Sequence, residues 1–295
     1  MFDLTGTVRA RSLSPIFEFM AGSGVLEIDN DVSSAFGRYR LTGLQQAVLK
    51  VARLPVLCRG WARPSWTRLL NWIRPGAMDL DDRGVRFRLY PKTNLIENGI
   101  LLRKDYNLAE IEFLKQGLPG SNPVFVDIGA NIGLYTLRIA KYLEGGDGKV
   151  IAIEPNPSTL ERLNFNIDAN KFDNVAVHAV AVGDYHGSAT LNINKEDLAI
   201  VNTVQDDDGE ITVVPLEEIL KAEQVDHIDA LKIDIEGYEY RALSPFFNRC
   251  ARDLWPRRIS IEHLGDKSDI EKLLREIGYR FLGKTRCNAF YELSD

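Results

Sequence analysis

Residues 124–140 read VFVDIGANIGLYTLRIA. The first five, Val124 to Ile128, are apolar except for Asp127, the composition of a strand buried on both faces of a sheet. From about residue 132 the apolar residues recur at helical spacing, which predicts a helix over roughly 132–143. Between the two lie Asp127, Gly129, Ala130, Asn131 and Gly133. Small residues at this point let a ligand approach the main chain closely. The helix that follows offers backbone N–H groups at its start, and ligands of open parallel sheets sit beyond the carboxyl ends of the strands.

The rhythm continues outward from this stretch. Strands are predicted over 149–154 and 174–180, with a helix over 157–169 between them. Later come strand IDALKIDI, a helix from about Tyr238, strand RRISIEH, a helix over 267–277, and two last strands, YRFLGK and NAFYEL. Strands alternating with helices of this length imply crossover units and a mostly parallel sheet, an α/β domain with helices on both faces. Residues 184–214 differ: strand-like segments with polar residues between them predict a hairpin or flap. Ahead of the core, VRFRLYP alternates as a strand and NLAEIEFLKQGL reads as a helix.

Glu154 ends the second strand, 21 residues after Gly133, where an acid can accept hydrogen bonds from both hydroxyls of a ribose. The glycine pattern is not GxGxxG, and Asp127 would repel a pyrophosphate. A carboxylate there suits a nucleoside that also carries an ammonium group, which favours S-adenosyl-L-methionine over NAD. A nicotinamide-dependent oxidoreductase and a non-catalytic cofactor-binding module are the alternatives.

With FVDIGANIGLYT, VIAIEPNP, AVAVGD and LKIDIEGYEYRAL in this order, the chain resembles the FkbM-type family of S-adenosylmethionine-dependent methyltransferases. The resemblance implies the seven-stranded Rossmann-like methyltransferase sheet, parallel except for its last strand. It also implies transfer of a methyl group to a hydroxyl of a sugar, glycan or other natural product. On that basis Asp127 to Gly133 wrap the methionine part of the cofactor, Glu154 holds the ribose, and Ala181, Val182 and Asp184 border the adenine.

An alcohol acceptor is a poor nucleophile until a base or a metal ion lowers the cost of losing its proton. Asp234 and Glu236 lie two residues apart at a strand end, where an ideal strand puts both side chains on one face. Glu262 and His263 end the next predicted strand. One expectation is that Glu236 or His263 takes the acceptor proton while Asp234 orients the reactants. A second is that Asp234 and Glu262, with or without His263, hold Mg2+, a hard ion that carboxylate oxygens suit. The other histidines, His178, His186 and His227, are read as structural or surface residues.

Charge divides the chain. Of its 36 basic residues, eight (Arg38, Arg40, Lys50, Arg53, Arg59, Arg63, Arg68 and Arg74) fall within 36–75, which contains no acid. The remaining 28 stand against 42 acidic residues. Three of the four tryptophans, Trp61, Trp66 and Trp72, share the basic stretch. Residues 1–75 are therefore read as a basic, helical N-terminal extension and 76–295 as the methyltransferase domain. In the extension, LTGLQQAVLKVARL places Leu41, Leu44, Val48, Val51 and Ala52 on one helical face, and PSWTRLLNWIRPG reads as a second helix with Ser65 as its N-cap. The extension is expected to be a lid whose arginines pair with the acidic body, or a dimer contact, in preference to a peripheral membrane contact. Nucleic acid is not expected, because the acidic body would repel it. Three scattered cysteines, no apparent signal peptide and no apolar run of spanning length suggest a cytoplasmic protein.

Overall fold

The structure is a computed structural model that describes residues 30–58, 60–118, 120–193, 201–206, 208–262 and 268–294. Two helices, α1 (Gly43–Ala52) and α2 (Arg63–Ile73), form a hairpin ahead of a two-stranded ribbon, β1 (Met78–Asp82) and β2 (Val85–Leu89). Helices α3 (Leu95–Leu102) and α4 (Leu108–Lys115) follow. The core then alternates: β3 (Val124–Ile128), α5 (Leu134–Tyr142), β4 (Lys149–Ile153), α6 (Pro157–Asn170) and β5 (Val175–His178). Next come β6 (Ala181–Val182), β7 (Gly187–Ile193), β8 (Val201–Gln205) and β9 (Ile211–Val214). The chain closes with α7 (Leu216–Ala222), β10 (Ala230–Ile233), α8 (Glu239–Arg249), β11 (Arg258–Glu262), α9 (Ser268–Glu276), β12 (Tyr279–Lys284) and β13 (Asn288–Leu293).

The main sheet has seven strands in the order β12-β13-β11-β10-β3-β4-β5. Neighbours from β11 to β5 pair parallel. β13 runs antiparallel to both its neighbours, so the last strand alone is reversed. The expected architecture is thus the observed one. The segment read as a flap is a separate four-stranded sheet, β6-β9-β7-β8. The strand predicted over 174–180 divides: β5 stays in the main sheet and β6 joins the smaller one.

Alternation along the strands builds two cores. Val124, Val126, Ile128, Leu231, Ile233, Ile259 and Ile261 face α7, α8 and α9. Phe125, Val150, Ala152 and Ala230 face α5, α6 and the N-terminal elements. Asp127 and Lys232 are in direct register on β3 and β10, and the same alternation puts them on the second face. From β3 the chain proceeds to β4 on one side, and from β10 to β11 on the other, so the strand order reverses between β3 and β10.

The hairpin differs from its sequence reading. Its inner side is Gln45, Leu49 and Ala52 of α1 with Thr67, Leu70 and Asn71 of α2. Buried Gln45 satisfies its amide by donating to the Leu70 carbonyl, 3.0 Å away. Leu44 and Val51, expected on the inner face, point to solvent. α2 starts two residues before Ser65, with Pro64 in its first turn. Among the described residues, two of the extension's arginines bond main-chain carbonyls. Arg53 donates to the carbonyls of Ile100 and Leu101, and Arg74 to those of Tyr39 and Arg40. Leu49, Ala52 and Leu70 belong to the same apolar cluster as Phe125 and Leu137, so the core continues from the extension into the sheet.

One buried ion pair ties the segment before α1 to the body. Arg88, 1% exposed, bonds Asp79 through Nε at 2.8 Å and Nη2 at 3.0 Å. Its remaining N–H groups donate to the carbonyls of Asp31, Ser34 and Ala35. Asp79 in turn accepts from the Gly37 and Tyr39 amides. Asp79→Ala leaves the guanidinium buried without its counter-charge, and the expected loss is about 3–5 kcal/mol in urea unfolding. The double change Asp79→Leu with Arg88→Met should lose less than Asp79→Ala alone, because no buried charge is then stranded.

Candidate active site

Strand register brings the predicted residues to one edge. Ile128 pairs with Ile153 and with Ile233, and Ile233 with Ile261. The next residue on each strand is therefore Gly129, Glu154, Asp234 or Glu262, four neighbours beyond the carboxyl ends. Gly129 has φ +80°, and a Cβ there would stand 2.1 Å from the Asp234 carbonyl oxygen, well inside van der Waals contact distance. Only glycine fits.

The turn after β3 is self-satisfied. The Gly129 and Ala130 amides donate to the Ile153 carbonyl, Asn131 N–H to Glu154 Oε2 at 2.7 Å, Ile132 N–H to Asn131 Oδ1, and Gly133 N–H to the Ala130 carbonyl. The N–H groups of residues 129–133 are thus occupied in shaping the loop. Asn131 holds φ +51° and also accepts from Asn94, the N-cap of α3. Glu154 is buried, with Oε1 accepting from Asn156 N–H and Thr159 Oγ1, and burial pushes its pKa up against these bonds. It therefore braces the turn from the place assigned to ribose binding.

Asp127 is 1% exposed. Its Oδ2 accepts from Thr136 N–H and Thr136 Oγ1, whereas Oδ1 is buried with no hydrogen-bond partner. Burial raises its pKa to about 6, against the pull of Thr136 and Lys232. A buried carboxylate oxygen without a donor is a position that an ammonium group satisfies. Beside the turn lies a small apolar crevice, about 30 Å³, lined by residues that include Ile128, Gly129, Pro155, Ala181, Val182 and Tyr185. It has room for a water or two, less than a purine ring needs. Asp184 lies just beyond, its Oδ1 buried without a partner and Arg241 3.6 Å from Oδ2. An orphaned acid, a glycine in contact with the next loop and an apolar slot together fit a nucleoside bearing a cationic amino acid.

The acids on the acceptor side converge. Oxygens of Asp234, Glu236 and Glu262 lie within 4.8 Å of one another. Glu236 gets there by a left-handed turn (φ +52°), followed by Gly237 at φ +99°, not by the strand alternation expected of it. Glu262 is buried, Asp234 partly so, and Glu236 is exposed. His263 lies outside the described residues. His178 bonds Glu223, His186 sits against Glu218, and His227 lies between exposed Asp226 and buried Asp229.

Lys232 is the residue that sequence reasoning missed. It is 1% exposed, and its Nζ donates to Asp234 Oδ2 at 3.0 Å, Asn288 Oδ1 at 2.8 Å and the Ile233 carbonyl. The signal was present: a lysine inside the apolar run IDALKIDI has to be buried with a partner. It also bears on the metal expectation. Asp234 Oδ2 already holds an ammonium, which opposes a divalent cation at the same oxygen.

Residues 127–281 match the profile of the Methyltransferase FkbM domain. No curated protein matches the chain. Among solved structures, it is similar to the methyltransferase FkbM from Methylobacillus flagellatus KT. Identity is 20% and the TM-score 0.42, covering 66% of this chain and 53% of that one, about half its length. M. jannaschii TYW2 in complex with AdoMet is 18% identical, TM-score 0.40, covering 74% and 87%. The human methyltransferase 10 domain containing protein is 15% identical, TM-score 0.43, covering 85% and 97%.

Asp127 gives a two-part prediction. With its pKa raised from 3.8 to about 6 in the folded chain, the protonated form contributes stability that is full below pH 3.8 and lost as pH rises through 6. Asp127→Asn should therefore stabilise the ligand-free protein at pH 7 by up to about 3 kcal/mol and flatten that part of the pH profile. The same variant should bind S-adenosylmethionine roughly 10–100-fold more weakly, and wild-type affinity should fall below pH 6. Thermal melts and calorimetry across pH check both; unchanged affinity removes Asp127 from the site.

Proposed function

The chain belongs to the FkbM methyltransferase family and is an S-adenosylmethionine-dependent methyltransferase, and from that premise we propose that it methylates a hydroxyl group of a sugar, glycan or other polyhydroxylated metabolite. The observation that carries this reading is the group of three carboxylates, Asp234, Glu236 and Glu262, at the strand ends that adjoin the glycine turn. Neighbouring hydroxyls are hydrogen-bond donors, and a set of acceptor-only carboxylates is suited to engage them.

When bound, S-adenosylmethionine supplies a methyl group on a positively charged sulfur. Asp127 and the turn from Gly129 to Gly133 would hold its amino-acid end, Glu154 its ribose, and Ala181, Val182 and Asp184 its base. Lys232 pins Asp234, fixing that carboxylate as an orienting acceptor for the substrate hydroxyl. Glu236, exposed and beside two other acids, would take the hydroxyl proton during methyl transfer. The products are a methyl ether, S-adenosylhomocysteine and a protonated carboxylate. Much of the remaining rate advantage comes from alignment and exclusion of water. His263 is the other candidate base.

A second reading keeps the carboxylates as Mg2+ ligands, favoured by their mutual proximity. The Lys232–Asp234 bond weighs against it.

Transfer of labelled methyl from S-adenosylmethionine into a panel of sugars, glycans and simple alcohols tests the proposal. Once an acceptor is found, Glu236→Gln should lower kcat by roughly 10²–10⁴-fold with little change in cofactor affinity. Lys232→Met should impair kcat through a mobile Asp234, with cofactor binding retained. Insensitivity to EDTA is expected; loss restored by magnesium would favour the metal reading. Methylation confined to amines would sink the hydroxyl assignment.

A further inference from the structure

The outer surface of the N-terminal hairpin has no use in methyl transfer. On α1 the buried stripe is Gln45, Leu49 and Ala52. At 100° per residue the opposite stripe is Leu44, Ala47, Val51 and, one turn on, Leu54, all exposed. On α2 the side opposite the buried Thr67, Leu70 and Asn71 carries Ser65, Arg68, Leu69 and Trp72, again exposed. Val56 and Trp61 continue the apolar surface through the connecting loop. Trp61 is 76% and Trp72 80% exposed, although large aromatic side chains usually find cover. Both stripes point away from the body.

A basic flank runs alongside. The third side of α1, Gln46, Lys50 and Arg53, lines an open groove of about 710 Å³ together with Arg40, Arg86 and Lys104. Two acids, Asp79 and Asp81, also line it, but Asp79 is committed to Arg88 and Asp81 to the Gly84 amide. Residues 36–75 hold eight basic residues and no acid, whereas the rest of the chain has a net negative charge.

We propose that this surface docks on an anionic phospholipid bilayer, with Trp61, Trp72, Leu44, Val51 and Leu54 at the acyl boundary and the groove around Arg40, Lys50 and Arg53 facing headgroup phosphates. Exposed tryptophans beside aliphatic residues and flanking cations suit the interfacial zone. A phosphodiester backbone has no use for the aliphatic stripe. Two copies of the same basic surface repel each other. The separation of a basic arm from an acidic body orients the molecule arm-first toward a negative plane.

The test uses the full chain with vesicles of phosphatidylcholine alone and of equal parts phosphatidylcholine and phosphatidylserine. Sedimentation and tryptophan emission are read together, because Trp66 and Trp255 are partly covered and Trp61 and Trp72 dominate any shift. Expected are co-sedimentation and a blue shift with the anionic vesicles only, weakened by salt. Trp61→Ala with Trp72→Ala should remove the shift and reduce binding at least tenfold. Lys50→Glu should weaken binding with the tryptophans intact. All three substitutions are at exposed positions, and circular dichroism verifies the fold. No vesicle binding overturns the proposal. So does a dimer in light scattering that the double tryptophan variant abolishes without any lipid response, which would assign the surface to a second copy.

Discussion

Position 129 tolerates no side chain, because the loop leaving β3 touches the loop leaving β10 at the Asp234 carbonyl. The adjacent helices depart to opposite faces of the sheet, α5 into one core and α8 into the other. Such a reversal of strand order opens a crevice, and the Gly129 contact closes its floor. Cofactor turn and acid-bearing loop are thereby held at van der Waals distance. On the proposed assignment, a methyl donor on one and an acceptor on the other would be brought together by backbone geometry before any catalytic side chain acts.

Electrostatics follows from that floor. Asp127 and Lys232 are register partners on adjacent strands, and Lys232 reaches on to Asp234 and Asn288. Burying this set is costly unless each charge is answered. Lys232 is answered by three acceptors; Asp127 is not fully answered, which is why burial raises its pKa and leaves Oδ1 without a donor. The stored cost is released by a cation bound beside it. On the acceptor side three acids share one edge, so a proton or a hydroxyl donor is welcome there. The two halves have opposite needs, as the proposed positively charged donor and proton-losing acceptor would require.

Most of the parallel core could be read from the chain because its strands are short apolar runs separated by helices of crossover length. Strands β3, β4, β10 and β11 fall within a residue or two of their expected bounds. The elements missed have specific causes. α3, NLIENGILL with its N-cap, is buried nearly all round, so it shows no amphipathic period, and Gly99 suggests a break. That glycine is there because a Cβ would collide with the Tyr106 ring. The inner side of α1 was misread because a buried glutamine takes a place that periodicity assigns to an apolar residue. At the candidate site, residue identities alone singled out the turn after β3 and the three acids that the structure brings to one edge. Lys232 and the self-satisfied amides depended on register across strands far apart in sequence, which spacing along the chain does not encode.

The extension is not a loosely tethered arm. Its inner side shares the core of the sheet, and a polar path runs from it to the site. Asn98 of α3 donates to Thr67 Oγ1 of α2. Four residues earlier Asn94 caps the same helix and donates to Asn131 Oδ1 in the cofactor turn. Every link is a buried hydrogen bond on a rigid element, so displacing α2 requires breaking one of them or moving α3 as a body. The acidic edge and the basic outer surface are therefore fixed relative to each other. Whatever the outer surface meets, the orientation of the methyl-transfer site toward it is set by packing alone.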